Sequence, residues 1–247
     1  MLNACPQPTR RRFLAALCPG WLPLPWRRPG AKIAGVAFRV RRRGRSPRRY
    51  LWIHGDERTA RDVLLKHLER AAGTAFLTPS NERAVRIGGL LLDPNRMFSR
   101  AGAEASFRML NPAGGQEGIR RALDRLDRDR EKFLRAILPP PGGRIVALHN
   151  NSRGYSVEDE IPISDRVWLP RRSQPHEFFL ATSPEDFARL ARSPYNAVLQ
   201  QKAPPDDDGS LSRLAARRGV RYVNIEAALG EYDQQRAMLA WVEANLP

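Results

Sequence analysis

Short apolar runs along this chain alternate with longer stretches whose apolar residues recur every three or four positions. The runs Ile33–Val40, Tyr50–His54, Ala75–Leu77, Val85–Leu92, Arg144–Leu148, Phe178–Ala181, Ala197–Gln200 and Arg221–Ile225 have the length and composition of strands. Gly88-Gly89 weakens the fourth of these. Arg41–Arg49, with Gly44 and Pro47, reads as a basic turn, so Ile33–Val40 and Tyr50–His54 are expected to pair as a hairpin. Helical spacing appears in Thr59–Ala72, where Val63, Leu64, Leu68 and Ala71 share a face, and Gly73 supplies the stop. It recurs in Glu117–Leu138, through Ile119, Leu123, Leu126, Phe133 and Leu134, before a stop at Pro139-Pro140-Pro141. Ser183–Ala191 opens with Ser183 as N-cap and Asp186 as the capping-box acid, and Ser210–Arg218 and Glu231–Asn245 complete the predicted helices. Strands alternating with helices predict an α/β fold: a three-layer αβα single domain on a mixed, largely parallel sheet. Asn150–Pro175 carries no period and reads as a long binding loop.

Charge changes this picture mainly at one end. The net charge is +16, but residues 1–55 hold 13 Arg and Lys and no acid, which leaves the remainder near +3. A nearly neutral body argues against a nucleic-acid partner, and steeply salt-dependent binding would have to rest on the N-terminal arginines alone. No apolar run reaches the ~18 residues of a membrane span. Cys5 and Cys18 are the only cysteines, so neither a disulfide framework nor a Cys metal site is expected. Thr9-Arg10-Arg11-Arg12-Phe13-Leu14, followed by the apolar Ala15–Trp26, resembles a twin-arginine signal, which would carry a folded protein to the periplasm. Pro19, Pro23 and Pro25 interrupt that segment, and a basic tail on a cytoplasmic protein is the alternative. Residues 1–31 are thus expected to be a leader and 32–247 the domain.

Two of the predicted strands end at a histidine, His54 and His149, and the last ends at Glu226. Glu57 follows His54 by three residues across a turn at Gly55, which lets both side chains converge on one ion. Ligands of open α/β sheets bind beyond the carboxyl ends of strands, where all four residues fall. The other histidines are His67, inside a helix and read as a surface or packing residue, and His176, in the long loop without a fixed partner. Asp206-Asp207-Asp208 reads as a solvated loop or a charge cluster at a helix N-terminus.

His54-Gly55-Asp56-Glu57, Asp93-Pro94-Asn95-Arg96, Leu148-His149 and Ile225-Glu226 occur in the order of a known pattern. From about Tyr50 onward the chain resembles the zinc carboxypeptidases of the carboxypeptidase A type, with their succinylglutamate desuccinylase and aspartoacylase relatives. The resemblance implies Zn2+ on His54, Glu57 and His149 and an activated water in the open position. It implies Glu226 as general base and then acid, Asp93 as the carboxylate that aims His54, and Asn95 with Arg96 as the grip on a substrate carboxylate. An upstream arginine would polarise the scissile carbonyl: Arg86, with Arg83 as the alternative. The implied activity is hydrolysis of an amide bond in a small peptide or N-acyl amino acid with a free carboxylate. A non-catalytic carboxylate-binding protein on the same fold is the rival. Ala147 stands where many relatives have an acid two residues before the histidine, and Tyr155 is the one candidate for a mobile tyrosine. With 21 residues after Glu226, no added β domain of the aspartoacylase kind is expected.

Overall fold

A computed structural model of the protein describes residues 30–151, 154–202 and 205–247. The expected leader lies outside the described residues except for Gly30 and Ala31. Two short strands, β1 (Lys32–Ile33) and β2 (Val36–Ala37), turn tightly at Ala34 and Gly35, whose φ values are 48° and 94°. Then come β3 (Arg39–Arg43), β4 (Arg49–Trp52), α1 (Arg58–Leu68) and β5 (Gly73–Leu77). A hairpin of β6 (Val85–Ile87) and β7 (Leu90–Leu92) precedes α2 (Arg100–Leu110) and the long α3 (Gln116–Ile137). The second half runs β8 (Ile145–Asn151), α4 (Val157–Glu160), β9 (Arg166–Trp168), β10 (Phe178–Ala181) and α5 (Pro184–Leu190). It closes with β11 (Asn196–Leu199), α6 (Leu211–Arg217), β12 (Tyr222–Ala228) and α7 (Tyr232–Asn245).

Eight strands form one sheet in the order β3-β5-β4-β8-β12-β10-β11-β9. Its centre, β5-β4-β8-β12, is parallel. The flanks reverse: β3 is antiparallel to β5, β10 to β12, and β9 to β11. The sheet is therefore mixed with a parallel middle, as the alternation of elements implied.

Side chains alternate across the sheet and feed two apolar cores. Leu51, Phe76, Ala147 and Tyr222 face one core with residues of α2, α3 and α6. Tyr50, Ala75, Val146, Leu148, Val223 and Ile225 face the other with residues of α1, α5 and α7. α3 buries Ile119, Leu123, Leu126, Phe133 and Leu134 as its period predicts, and adds Ala122 and Ile137. Among the described residues no helix is long and apolar enough to cross a membrane.

The structure corrects four expectations. Asn150–Pro175, expected as a long loop, holds α4 and the edge strand β9. Ile33–Val40 and Tyr50–His54 do not pair; β3 lies on the far side of β5 from β4, because β5 inserts between them. Gly88 and Gly89, at φ 59° and 89°, turn Val85–Leu92 into a hairpin rather than one strand. α2 was not anticipated: Gly102, Ala103 and Ser106 make up most of its buried face, and Gly102 is small because the Asp208 backbone packs against it.

A buried amide network ties α1 and α7, on one face of the sheet, to β8 at its centre. Asn150 Oδ1 accepts from the Ala60 N–H at 2.8 Å, and its amide donates to Gln235 Oε1 at 3.0 Å. Gln235 in turn donates to the His149 carbonyl at 2.7 Å. Asn150→Ala leaves two buried groups without partners and should destabilise the fold by about 2–4 kcal/mol. Urea denaturation measures this, and a loss below about 1 kcal/mol would show that the network is not a structural clamp.

Candidate metal centre

The parallel centre brings the ends of β4, β8 and β12 side by side. His149 and Glu226 are direct register partners, and both lie on the α2/α3/α6 side of the sheet, following Ala147 and Tyr222 by even steps. His54 stands two residues past β4, and Glu57 stands at the mouth of α1. The turn between them is held by the Glu57 N–H on the His54 carbonyl (3.3 Å) and by Trp52 Nε1 on the Glu57 carbonyl (2.8 Å).

Three side chains converge there. His54 Nδ1 is 2.7 Å from Glu57 Oε1, and His149 Nδ1 is 3.1 Å from Glu57 Oε2. All three residues are buried, with exposures of 2%, 4% and 4% for His54, Glu57 and His149. Their ligand-type atoms lie within 4.8 Å of one another, so the group could hold a metal ion. Two further observations fit a cation. Glu57 Oε2 is buried without a well-directed hydrogen bond, its approach to His149 notwithstanding. Both ring nitrogens of His54 face carboxylates, with Nε2 2.8 Å from Asp93 Oδ1. Burial disfavours a charge on His54, but Glu57 and Asp93 outweigh it and raise its pKa. Burial likewise opposes the Glu57 charge, and His149 and His54 outweigh it and lower that pKa. A proton and a divalent cation are alternative ways to satisfy the same convergence of donors.

Asp93 stands against the His54 ring. Its Oδ1 takes both His54 Nε2 and the Asn95 N–H (2.8 Å), and its own N–H donates to Ser106 Oγ of α2 (3.0 Å). Asn95 and Arg96 line the same cavity, whose volume is about 780 Å³. Asn95 Oδ1 also accepts from the Leu211 N–H at 3.1 Å, which pins the start of α6. Glu226 reaches the cavity with 5% exposure and accepts from Asn224 Nδ2 at 3.0 Å. Burial first, then the Glu57 charge, pushes its pKa up to about 7 against the pull of His149.

Arg86 is not at the site. Val85 and Ile87 are buried, so alternation along β6 turns Arg86 outward, where it donates to the Gly89 carbonyl at 3.2 Å. Arg83 is the arginine at the site: its Nη1 is 3.1 Å from Glu57 Oε1 and its Nη2 4.0 Å from Asp93 Oδ2. Gly55 explains this approach. Its N–H donates to the Glu82 carbonyl at 3.0 Å, and a Cβ on Gly55 would stand 2.2 Å from the Ser80 carbonyl oxygen.

Several site residues carry no signal in the sequence. Asp208, read as part of a solvated loop or a helix-end charge cluster, contacts Arg96 at 3.5 Å and Arg213 at 3.8 Å. Arg213 is buried in the cavity wall, and its Nη1 has no hydrogen-bond partner. Glu160 and Gln200 also line the cavity. Asn224 alone was findable, because it lies two positions before Glu226 on the same face of a strand. Of the two alternatives for His67 the structure shows packing, edge-on to Tyr50, whereas His176 does have a partner, the Tyr155 carbonyl at 2.9 Å.

No family model, curated protein or solved structure matches this chain. What fold and site define together is an α/β domain with a buried His–Glu–His cluster at the carboxyl edge of its parallel strands.

Gly55→Ala should push the Ser80–Glu82 segment away, detach Arg83 from Glu57 and destabilise the protein by about 1–3 kcal/mol. Thermal unfolding measures the loss; an unchanged midpoint would mean that the close approach at Gly55 does not position Arg83.

Proposed function

We propose that the protein is a zinc-dependent hydrolase that cleaves an amide bond in a peptide or N-acyl amino acid bearing a free carboxylate. The observation that carries this reading is Glu226 placed in direct register with His149, beside the His54–Glu57–His149 cluster and in the same cavity. The resemblance to zinc carboxypeptidases supports it through Asp93, Asn95 and Arg96, which the cavity gathers around that cluster. Two imidazoles and one carboxylate are the donor set of a catalytic zinc. Bound there, zinc supplies Lewis-acid polarisation of a carbonyl and a water acidified toward neutral pH.

The protein's own groups do the rest. Asp93 fixes the His54 ring, so its Nδ1 is the nitrogen turned toward Glu57. Arg96, with Asn95 beside it, offers a guanidinium to the substrate carboxylate. Arg83, whose Nη1 lies 3.1 Å from Glu57 Oε1, is the guanidinium that would polarise a substrate carbonyl beside the cluster. Glu226, with its affinity for protons raised by burial, takes a proton from the attacking water and returns it to the leaving amine.

Purified protein should carry one zinc per chain, and a chelator should abolish amidase activity. Glu226→Gln should retain the metal and lose about 10²–10⁴ in kcat. A folded wild type that never takes up zinc, or a Glu226→Gln variant as active as wild type, would remove this mechanism. Ligand binding without turnover would identify the carboxylate-binding alternative. Asp93→Asn should weaken zinc affinity about 10–100-fold, measured by competition with a chelating dye; unaltered affinity would deny Asp93 its aiming role.

A further inference from the structure

The charges in the cavity are compensated unevenly. Arg83 faces Glu57 and Asp93, and Arg96 and Arg213 both face Asp208. Each of these arginines therefore has an acid. Asp56, Glu226 and Glu160, the last at the end of α4, line the cavity without an ion pair among the described residues, and of the three only Glu160 has both carboxylate oxygens held. Its carboxylate is held by two neutral donors: Tyr155 Oη at 2.5 Å on Oε1, and the Gln200 amide on Oε2.

The holding is built from several elements. His176 fixes the Tyr155 carbonyl, a Ser156/Asp159 capping box starts α4, and Ser164 Oγ donates to the Glu160 carbonyl at 2.8 Å. Gln200 follows the end of β11, so Glu160 is clamped between the long loop and the sheet. An ionised carboxylate accepts about four hydrogen bonds, and neutral donors orient it without cancelling its charge. Ile163, Leu180 and Tyr222 line the cavity too, and such low-dielectric walls focus an uncompensated charge. A carboxylate oriented in this way and left without a cation is a receptor for one.

We infer that Glu160 is the specificity-determining residue of the cavity and receives a cationic group on the side chain of the carboxylate-bearing residue of the substrate. The substrate class is then a peptide or N-acyl amino acid ending in a basic residue. This rests on the hydrolase reading for its carboxylate anchor at Arg96, but its charge argument stands on Glu160, Tyr155 and Gln200 alone.

The test compares three probes on the full chain by calorimetry: Nα-acetyl-lysine, the uncharged Nα-acetyl-norleucine and the acidic Nα-acetyl-glutamate. The lysine compound should bind about 10–100-fold tighter than the norleucine compound. In Glu160→Gln that ratio should fall to near one. Equal binding of the lysine and norleucine compounds by wild type, a preference for the glutamate compound, or no binding of any of the three overturns the inference. An unchanged ratio in a folded Glu160→Gln overturns it as well. The wild-type comparison needs no variant, so a misfolded mutant does not leave the question open. Hydrolysis of the same probes separates this inference from the hydrolase reading. Turnover without a lysine preference removes the role of Glu160 and keeps the hydrolase. Lysine preference without turnover removes the hydrolase and keeps the cation site.

Discussion

Burying a carboxylate as deeply as Glu57, at 4% exposure, costs several kcal/mol unless cations and donors surround it. Glu57 meets that condition with His54, His149 and Arg83. Each of the three reaches it by a different structural route. His54 comes by way of the turn after β4, His149 lies on β8, and Arg83 comes on the segment that Gly55 admits. The turn, the neighbouring strand and the packed loop must all be in place before the charge can be buried. The site is therefore a reporter of correct folding as well as a cluster of metal-type donors.

The sheet supplies the rest of the precision. Parallel neighbours end at the same edge, so β4, β8 and β12 deliver their residues to one place without long loops. The register of Glu226 against His149 fixes the spacing of that carboxylate from the cluster to that of adjacent strands. Outside the sheet, α2 carries the support: Ser106 holds Asp93, and Gly102 allows the Asp208 backbone to pack close. A helix with a weak apolar face is thus central to aiming His54.

The parts of the site legible in the sequence are those whose position a strand dictates. His54, His149 and Glu226 could be placed because a short apolar run has one end and the chemistry sits on it. Arg83 and Arg86 could not be told apart by spacing, because the choice depends on which side of a hairpin residue faces out. That hairpin exists only through Gly88 and Gly89. Asp208, Arg213, Glu160 and Gln200 were invisible for a different reason. Each meets the cavity by a contact between elements distant in the chain, and local pattern holds no information about such contacts. The misassigned β3–β4 pairing has the same origin: nothing local reveals that β5 inserts between two consecutive strands.

The electrostatics of the cavity give its two ends different character. Around Glu57 the contacts are short, from 2.7 to 3.1 Å, although Oε2 lacks a well-directed hydrogen bond. Around Asp208 they are long, 3.5 and 3.8 Å, and two guanidiniums share one carboxylate. A guanidinium gains most from short, parallel hydrogen bonds to a planar anion, and Asp208 does not provide that to either arginine. A carboxylate entering from solvent can do better than Asp208 at Arg96 without first breaking a strong pair. Glu226 is loosely compensated in the opposite sense, with one amide donor and burial working against its charge. Contacts are thus short where the Gly55 turn meets the strand ends and long around Asp208, which leaves Arg96 and Arg213 without close, parallel hydrogen bonds to their shared acid.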